Sequence, residues 1–511
     1  MKVLVIVGHP REGSLCDALA EQYSAGAREA GAALERLDLR ALRFSRDVET
    51  EAMSRQRTEP DVERARRLVA WADHLVFVYP TWWGTMPSLL KGFLDRVLLP
   101  GFAFRHADNA FGYEGLLGGR TAHLITMMDT PPLAYRLLYR SPGHNAMRRA
   151  TLGFCGIEPV RVTPLGPVLS SDAEQRRGWL ERARLEGRRL RGAVPTPFER
   201  ATRCLGSWLA ALRLQFYPTT WLAYAIGAAA VAWPAAGFAA LGSAAFWLGY
   251  LALFAIEAAT VFTNEVFDYA ADRGNGRYGP FNGGSRVIIE GRLSSRALGI
   301  GAGVAAAAAM LLALALAALT PAPPAASLTL LAALAIVAIG YTLPPLKLCY
   351  RTLGEADVGF THGPAVLVCG WVFMGGAWDD PVPWLMGLPI ALAALPSITL
   401  SNVPDRQADA AVDKLTIPAR FGQRGAILFA MGATAAAAAC AAIWPFLEPL
   451  PSVHGAVPFL ALPHAAWLLW LLRRSLREHD VPRNMMTLML AALTYVLPFI
   501  VPPFVALIAA G

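Results

Sequence analysis

The pattern of apolar and polar positions changes character near residue 200. Before it, short apolar runs alternate with amphipathic stretches. Val3–Val7 is apolar throughout and ends in the polar loop Gly8-His-Pro-Arg-Glu-Gly-Ser14, after which helical periodicity predicts a helix from Leu15 to about Ala30. Further strands are predicted at Leu34–Asp38, His74–Tyr79, Thr121–Thr126 and Val160–Thr163. Strands alternating with helices indicate an α/β domain, a parallel sheet with helices on both faces. Ligands of such sheets sit beyond the carboxyl ends of the strands. Those ends carry His9–Ser14, Pro80–Gly84 and Met127–Pro132.

After residue 200, apolar segments long enough to cross about 30 Å of hydrocarbon recur to the end of the chain. Nine are read, at roughly 208–232, 237–263, 296–319, 325–342, 355–377, 384–401, 425–446, 457–472 and 486–509. They predict an all-α polytopic membrane domain. The chain is therefore read as a domain at 1–191, a linker at 192–204 containing Gly192-Ala-Val-Pro-Thr-Pro197, and a membrane domain at 205–511.

Composition agrees. The chain is 55% hydrophobic and 16% charged, against roughly 25% charged in ordinary soluble domains. That excludes a wholly soluble protein and a disordered one. The net charge of +8 comes almost entirely from arginine, because lysine occurs only at Lys2, Lys91, Lys347 and Lys414. Nucleic acid is not the expected partner. Basic residues concentrate in loops 264–295, 343–354, 402–424 and 473–485, while connections near 320–324, 378–383 and 447–456 carry no lysine or arginine. This alternation predicts a multi-pass protein of the cell membrane, with the N-terminal domain and the charged loops on the cytoplasmic face. The nine arginines of 172–203 read as a solvated last helix plus the flank of the first span. The six cysteines have no metal spacing and read as free thiols, and no cleavable signal is evident.

The first loop precedes a helix N-terminus, a natural phosphate site, but lacks the dinucleotide fingerprint GxGxxG. The second, Tyr79-Pro-Thr-Trp-Trp-Gly-Thr-Met-Pro87, sets two tryptophans in flexible backbone, which suits a flat aromatic ring. On these residues alone the tryptophans could equally be core, and His9 a structural histidine. Several stretches in order resemble the flavodoxin-like NAD(P)H:quinone oxidoreductases: His9-Pro10 with Ser14, Asp38-Leu39, Pro80–Gly84, Met86-Pro87, Leu90-Lys91-Gly92, Asp95-Arg96-Val97, Gly101–Phe104 and Gly115–Gly119. The resemblance implies FAD or FMN, with His9 and Ser14 at the flavin phosphate and Pro80, Thr81, Trp82, Trp83 and Gly84 along the isoalloxazine. It further implies NAD(P)H as reductant, a quinone substrate, Tyr135 and Tyr139 lining the substrate pocket, and a homodimer through this domain. The third loop departs from the pattern: Thr126-Met-Met-Asp-Thr-Pro-Pro132 stands where many relatives have a glycine-rich flavin contact.

Two membrane-domain loops carry acidic clusters, Asn264-Glu-Val-Phe-Asp268-Tyr-Ala-Ala-Asp272 and Asp405-Arg-Gln-Ala-Asp409-Ala-Ala-Val-Asp413-Lys414. Spacings of four and eight put the carboxylates on one helix face. Each cluster begins where an apolar span ends, and carboxylates there are costly unless paired or metal-bound. Facing each other, they would suit magnesium held with substrate phosphates. A solvated helix end is the bland alternative.

These motifs resemble the UbiA superfamily of prenyltransferases, with Glu265 replacing the second Asp of NDxxDxxxD. Asn282-Gly-Gly-Ser-Arg286, Tyr341-Thr-Leu-Pro-Pro-Leu-Lys347, Tyr350-Arg-Thr-Leu-Gly-Glu355 and Lys414 with Thr416 extend the match, most like the branch that prenylates dihydroxynaphthoate in menaquinone synthesis. The resemblance implies Mg2+ held by Asn264, Asp268, Asp272, Asp405 and Asp409 with help from Asp413, and a prenyl diphosphate bound by Lys414, Arg286, Lys347 and Arg351. Glu265 lengthens one ligand and would retune the metal geometry. The allylic bond ionises and an electron-rich hydroquinone ring attacks the cation. A quinone is a poor nucleophile and a hydroquinone a good one, so reduction by one domain would feed prenylation by the other; the reverse order is also consistent. Three rivals stand beside this reading: a redox-sensing flavin module that regulates its partner, a terpene cyclase without an aromatic acceptor, and a scaffold with decayed sites.

Overall fold

The structure is a computed structural model describing residues 1–47, 58–106, 113–190, 193, 197–231, 237–279, 281–447, 451–478 and 484–509. The chain forms two compact units, Met1–Ala201 and Thr202–Gly511.

The first unit is built on five parallel strands: β1 (Lys2–Val7), β2 (Ala33–Asp38), β3 (His74–Pro80), β6 (Thr121–Met127) and β7 (Val160–Leu165), in the order β2-β1-β3-β6-β7. A two-stranded antiparallel ribbon, β4 (Phe104–His106) and β5 (Tyr113–Gly115), lies outside the sheet. All five predicted strands and the first helix, α1 (Leu15–Glu29), form within a few residues of the positions read from the sequence. Val3 to Val7 are fully buried because helices cover both faces. Leu4, Ile6, Leu75 and Phe77 pack against α2 (Pro60–Trp71) and α3 (Ser88–Val97) on one face. Val3, Val5, Val76 and Val78 pack against α1 on the other. There α1 meets the helix Ala173–Arg188 closely enough that a Cβ on Gly26 would collide with the Arg184 carbonyl. The strand order reverses between β1 and β3, which is where such sheets bind ligands.

The second unit is helical. Among the described residues, five helical segments are long and apolar enough to cross a membrane: Ala244–Phe267, Ser295–Leu319, Pro381–Ser401, Ile417–Phe446 and Met485–Ala509. The other stretches read as spans are helical too, but shorter, interrupted or, as in Val457–Ser475, less apolar. The first is divided at Arg213, whose φ of 54° separates Pro197–Leu212 from Tyr217–Val231. The fifth contains a π-helical turn, Thr361–Ala365, around Pro364. Helix therefore begins at Pro197, inside the stretch read as linker, while residues 191, 192 and 194–196 of that stretch and its flank lie outside the described residues. On Ser295–Leu319, Ile300, Val304, Leu311 and Leu314 are 54–64% exposed, an apolar surface suited to lipid rather than water.

The sheet buries His74 completely, with Tyr23 Oη at 3.3 Å from Nε2 and Thr121 Oγ1 at 2.7 Å from Nδ1. Burial pushes its pKa down to about 4. Between pH 6.5 and 4 the unfolded chain binds this proton and the folded one does not. The resulting stability, about 3 kcal/mol, is complete above pH 6.5 and lost as pH falls towards 4. His74→Gln should flatten the pH dependence of β3 amide protection by one proton, read by hydrogen exchange corrected for intrinsic rates. An unchanged slope would mean that folded His74 takes up the proton.

Candidate functional site

At the carboxyl ends of β1 and β3, the structure brings His9 and Trp82 together, with their rings edge to face at 5.8 Å. His9 Nδ1 accepts the Arg11 N–H at 3.0 Å, and burial lowers the pKa of the ring. Ser14 caps α1 in a capping box: its hydroxyl donates to Asp17 Oδ2 at 2.7 Å and accepts the Asp17 N–H. Trp82 to Thr85 form a tight turn closed by reciprocal backbone hydrogen bonds of 2.9 and 3.0 Å. Its central residues, Trp83 and Gly84, both have positive φ, 50° and 75°. Trp83 is fully exposed and Trp82 44% exposed, so neither is core. The buried Thr81 hydroxyl has no partner among the described residues. An orphaned donor beside two presented indoles fits a planar heteroaromatic group.

Tyr135 is buried, and its hydroxyl donates to the Gly84 carbonyl at 2.7 Å and accepts the Gly143 N–H at 2.9 Å. His144, which sequence reasoning missed, packs edge-on against Tyr135 and meets Thr126 Oγ1 through Nε2 at 2.9 Å. Tyr139 points outward.

In the second unit both acidic motifs reach one cavity of about 270 Å³, whose lining includes Asn264, Asp268, Asp272, Asp405 and Lys414. Lys414 joins the motifs: Nζ donates to Asp268 Oδ2 at 2.7 Å and lies 3.6 Å from Asp409 Oδ1. Burial opposes its charge, but Asp268 and Asp409 hold its pKa well above the ordinary value. Burial, reinforced by Asp268 and Glu265, pushes Asp272 up to about 8. Burial raises Asp409 to about 7, with Lys414 opposing. Positive charge is in short supply here. Asn264 Oδ1 and Asp268 Oδ1 are buried without a partner among the described residues.

Other acids of the motifs hold the frame. Asp405 accepts from Asn275 Nδ2 and Asn282 Nδ2, both at 2.7 Å, and from Gly283 N. Both oxygens of Glu265 are taken by Ser285, through its N–H and its hydroxyl. That corrects the expectation that Glu265 retunes a metal site: the longer side chain reaches a loop. Gly284 has φ +68°, and a Cβ there would collide with the Asp272 carboxylate. Glu355 accepts the Ile417 N–H at 2.9 Å at the start of the next helix.

Five expected site residues are absent from the cavity lining, Asp409 among them, which reaches it only through its contact with Lys414. Asp413 is exposed. The Arg286 guanidinium stacks 3.7 Å over Tyr278 and donates to the Asp272 carbonyl. Lys347 lies over Tyr350, and Arg351 donates to the Pro345 carbonyl. The lining does include Arg213, Glu257, Asp357 and His362, which no motif singled out. Their signal in the sequence was ionisable side chains within apolar segments. Among the described residues no three acidic, histidine or cysteine side chains surround one point as a closed metal site.

The family model for UbiA prenyltransferases matches residues 216–494, more than half of the chain. The chain belongs to the UbiA prenyltransferase family. The UbiA unit is thus a membrane unit, and its cavity the region where both acidic motifs meet. Residues 1–186 match the model for a flavodoxin-like fold. They are 30% identical over 190 residues to the FMN-dependent NADH:quinone oxidoreductase of Ruegeria pomeroyi, covering 34% of this chain and 93% of that protein, so the N-terminal unit belongs to that family. The ribosyldihydronicotinamide dehydrogenase-like protein traD of Penicillium crustosum is 31% identical over 153 residues, 25% of this chain and 57% of that one. This chain thus spans little more than half of that relative's length. Among solved structures, an NAD(P)H:quinone oxidoreductase from Methanothermobacter marburgensis is 26% identical with a TM-score of 0.34, covering 38% of this chain and 98% of that one.

Tyr135 ties the turn Trp82–Thr85 to the loop at Gly143. Tyr135→Phe should weaken that tie by about 1 kcal/mol. The expected readout is faster hydrogen exchange at Thr85 and Gly143, with β1 unchanged.

Proposed function

We propose that the chain is a bifunctional membrane enzyme. Its N-terminal unit reduces a quinone with NAD(P)H through a bound flavin, FMN by analogy with the Ruegeria protein. Its UbiA unit transfers a prenyl group from a prenyl diphosphate to the resulting hydroquinone, of the dihydroxynaphthoate type. The observation that carries this reading is the cavity where Asn264, Asp268, Asp272, Asp405 and Lys414 converge below an apolar wall.

Magnesium is commonly held by one or two carboxylates together with substrate phosphates, not by a closed protein cage. The unpartnered Asn264 and Asp268 oxygens and the neighbouring Asp272 suit that arrangement, and they would hold the ion with Asp405 and Asp409 in support. The ion supplies neutralisation of the leaving diphosphate. Lys414 provides the protein's own positive charge at that point. The apolar wall, Leu253, Ile256, Val261, Leu334 and Ile390 among it, houses the isoprenoid and keeps water from the allylic cation. In the N-terminal unit, His9 and the N-terminus of α1 face the flavin phosphate, and Thr81 to Gly84 border its ring. The flavin supplies hydride transfer. Exposed Trp83, Leu133, Leu137 and Leu138 suit a second copy of this unit. Nine spans and a cytoplasmic N-terminal unit complete the proposal, supported by the loop charges.

The test is anaerobic turnover of full-length protein in detergent with naphtho- and benzoquinones, prenyl diphosphates and magnesium. Prenylated product should require NAD(P)H when quinones are supplied, and not when preformed hydroquinones are. Asp268→Asn and Asp409→Asn should each lower transfer by at least about 100-fold while quinone reduction continues. Transfer surviving in both would remove the two-motif site; a cyclic hydrocarbon made without acceptor would make the UbiA unit a cyclase.

A further inference from the structure

The cavity carries a second polar group, deeper than the acidic motifs. Glu257 sits near the middle of the helix Ala244–Phe267, seven residues before Asn264 and therefore on the same face, about 10 Å further along the axis. Both line the cavity, with Thr260 between them. A carboxylate at mid-span is costly and marks function by default. Its partner is His362, on the π-helical turn Thr361–Ala365: Nε2 lies 3.8 Å from Glu257 Oε1, while Nδ1 is held by the Val358 carbonyl at 3.1 Å. The other oxygen, Glu257 Oε2, is buried with no partner among the described residues. Asp357, also lining the cavity, is only 7% exposed, and its Oδ1 has no partner among the described residues. Two buried acceptor oxygens without partners are expensive unless a ligand supplies O–H donors.

We infer that Glu257 and Asp357 form the subsite for a phenolic or hydroquinone acceptor ring, with Glu257 taking the hydroxyl proton as the ring attacks and His362 positioning Glu257. The inference rests on the prenyl-transfer reading above and adds the acceptor's place and its base. The interval of about 10 Å between Asn264 and Glu257 leaves room for the allylic carbon and one ring. The allylic C–O bond breaks with its electron pair going to diphosphate. The ring's π pair forms the new C–C bond while the hydroxyl proton passes to Glu257 Oε2. The substituted ring carbon then loses its hydrogen as a proton to the diphosphate, and Glu257 returns its proton to the oxygen. One proton and one diphosphate leave for each bond made, and Glu257 ends as it began.

The test uses full-length protein in detergent with magnesium, geranylgeranyl diphosphate and 1,4-dihydroxy-2-naphthoate under argon, so that quinone reduction is not needed. Glu257→Gln keeps a hydrogen-bonding group but cannot take the proton. Its kcat should fall about 100-fold or more, with acceptor KM within about threefold and prenyl diphosphate binding unchanged. Glu257→Asp should recover part of kcat, and Asp357→Asn should raise acceptor KM while leaving the diphosphate KM in place. Wild-type kcat in Glu257→Gln would overturn the inference and leave the prenyltransferase reading intact. Loss of prenyl diphosphate binding in both Glu257 variants would make the residue structural and also overturn it. A wild-type protein that prenylates no hydroquinone would remove both readings together.

Discussion

One buried ammonium organises the UbiA unit. Lys414 lies between Asp268, at the end of a long helix, and Asp409, in the short helix Arg406–Ala410. Without it, carboxylates of the two motifs would face each other across a cavity of low polarity with only their own repulsion. Breaking a buried pair by removing one partner costs about 3–5 kcal/mol, because the remaining charge is uncompensated. The lysine therefore fixes the distance between the two motifs. One ammonium cannot neutralise four carboxylates, and burial raises Asp272 and Asp409 further. The protein thus pins the site in place while leaving it short of positive charge, a state suited to a ligand that arrives with cations.

The acids divide into two kinds by what their oxygens already hold. Asp405 and Glu265 are saturated by backbone, amide and hydroxyl donors, and each ties one segment to another: Asp405 the loop at 275–283 and Glu265 the loop at Ser285, while Glu355 ties the start of the helix after Thr416 through one oxygen only. Asp268 and Asn264 each retain an unpartnered oxygen. A motif of evenly spaced acids is therefore partly a frame and partly a set of free donors. The same division runs through the N-terminal unit, where Tyr135 and Ser14 are consumed by turns and caps while Thr81 remains free.

Much of this was legible in the sequence. The alternating pattern placed five strands and α1 because fully covered parallel strands are apolar at every position, as Val3 to Val7 are. Acid spacing singled out Asn264, Asp268, Asp272 and Asp405, which line the cavity, and also Asp409 and Asp413, which do not. Side-chain direction in the loops was not legible. Arg286 and Lys347 have left-handed backbones, φ 60° and 45°, and their heads rest on Tyr278 and Tyr350 instead of reaching the cavity. A run of residues gives no sign of such a turn. Glu257, His362 and Asp357 were hidden for the opposite reason. None belongs to a recognisable motif, and the pairing of His362, on the π-helical turn, with Glu257 at 3.8 Å is a tertiary contact between distant segments.

The two chemistries fit one chain for a reason of electron demand. An allylic cation needs an electron-rich ring within reach before water finds it, and a quinone becomes such a ring only when reduced. A hydroquinone released into an oxidising medium is lost again. On the proposed reading, tethering a reductase to the membrane unit would raise the local concentration of its product at the second site without any new contact. On that reading the cavity would separate its polar functions by depth: charge for the diphosphate at Asp268 and Lys414, unpartnered acceptors for hydroxyls at Glu257 and Asp357, apolar wall around both. A ring that has not been reduced carries carbonyls in place of hydroxyls, and carbonyls offer no proton to Glu257. On the proposed reading, a deep subsite of unpartnered acceptor oxygens would favour the reduced ring, and reduction would then precede transfer.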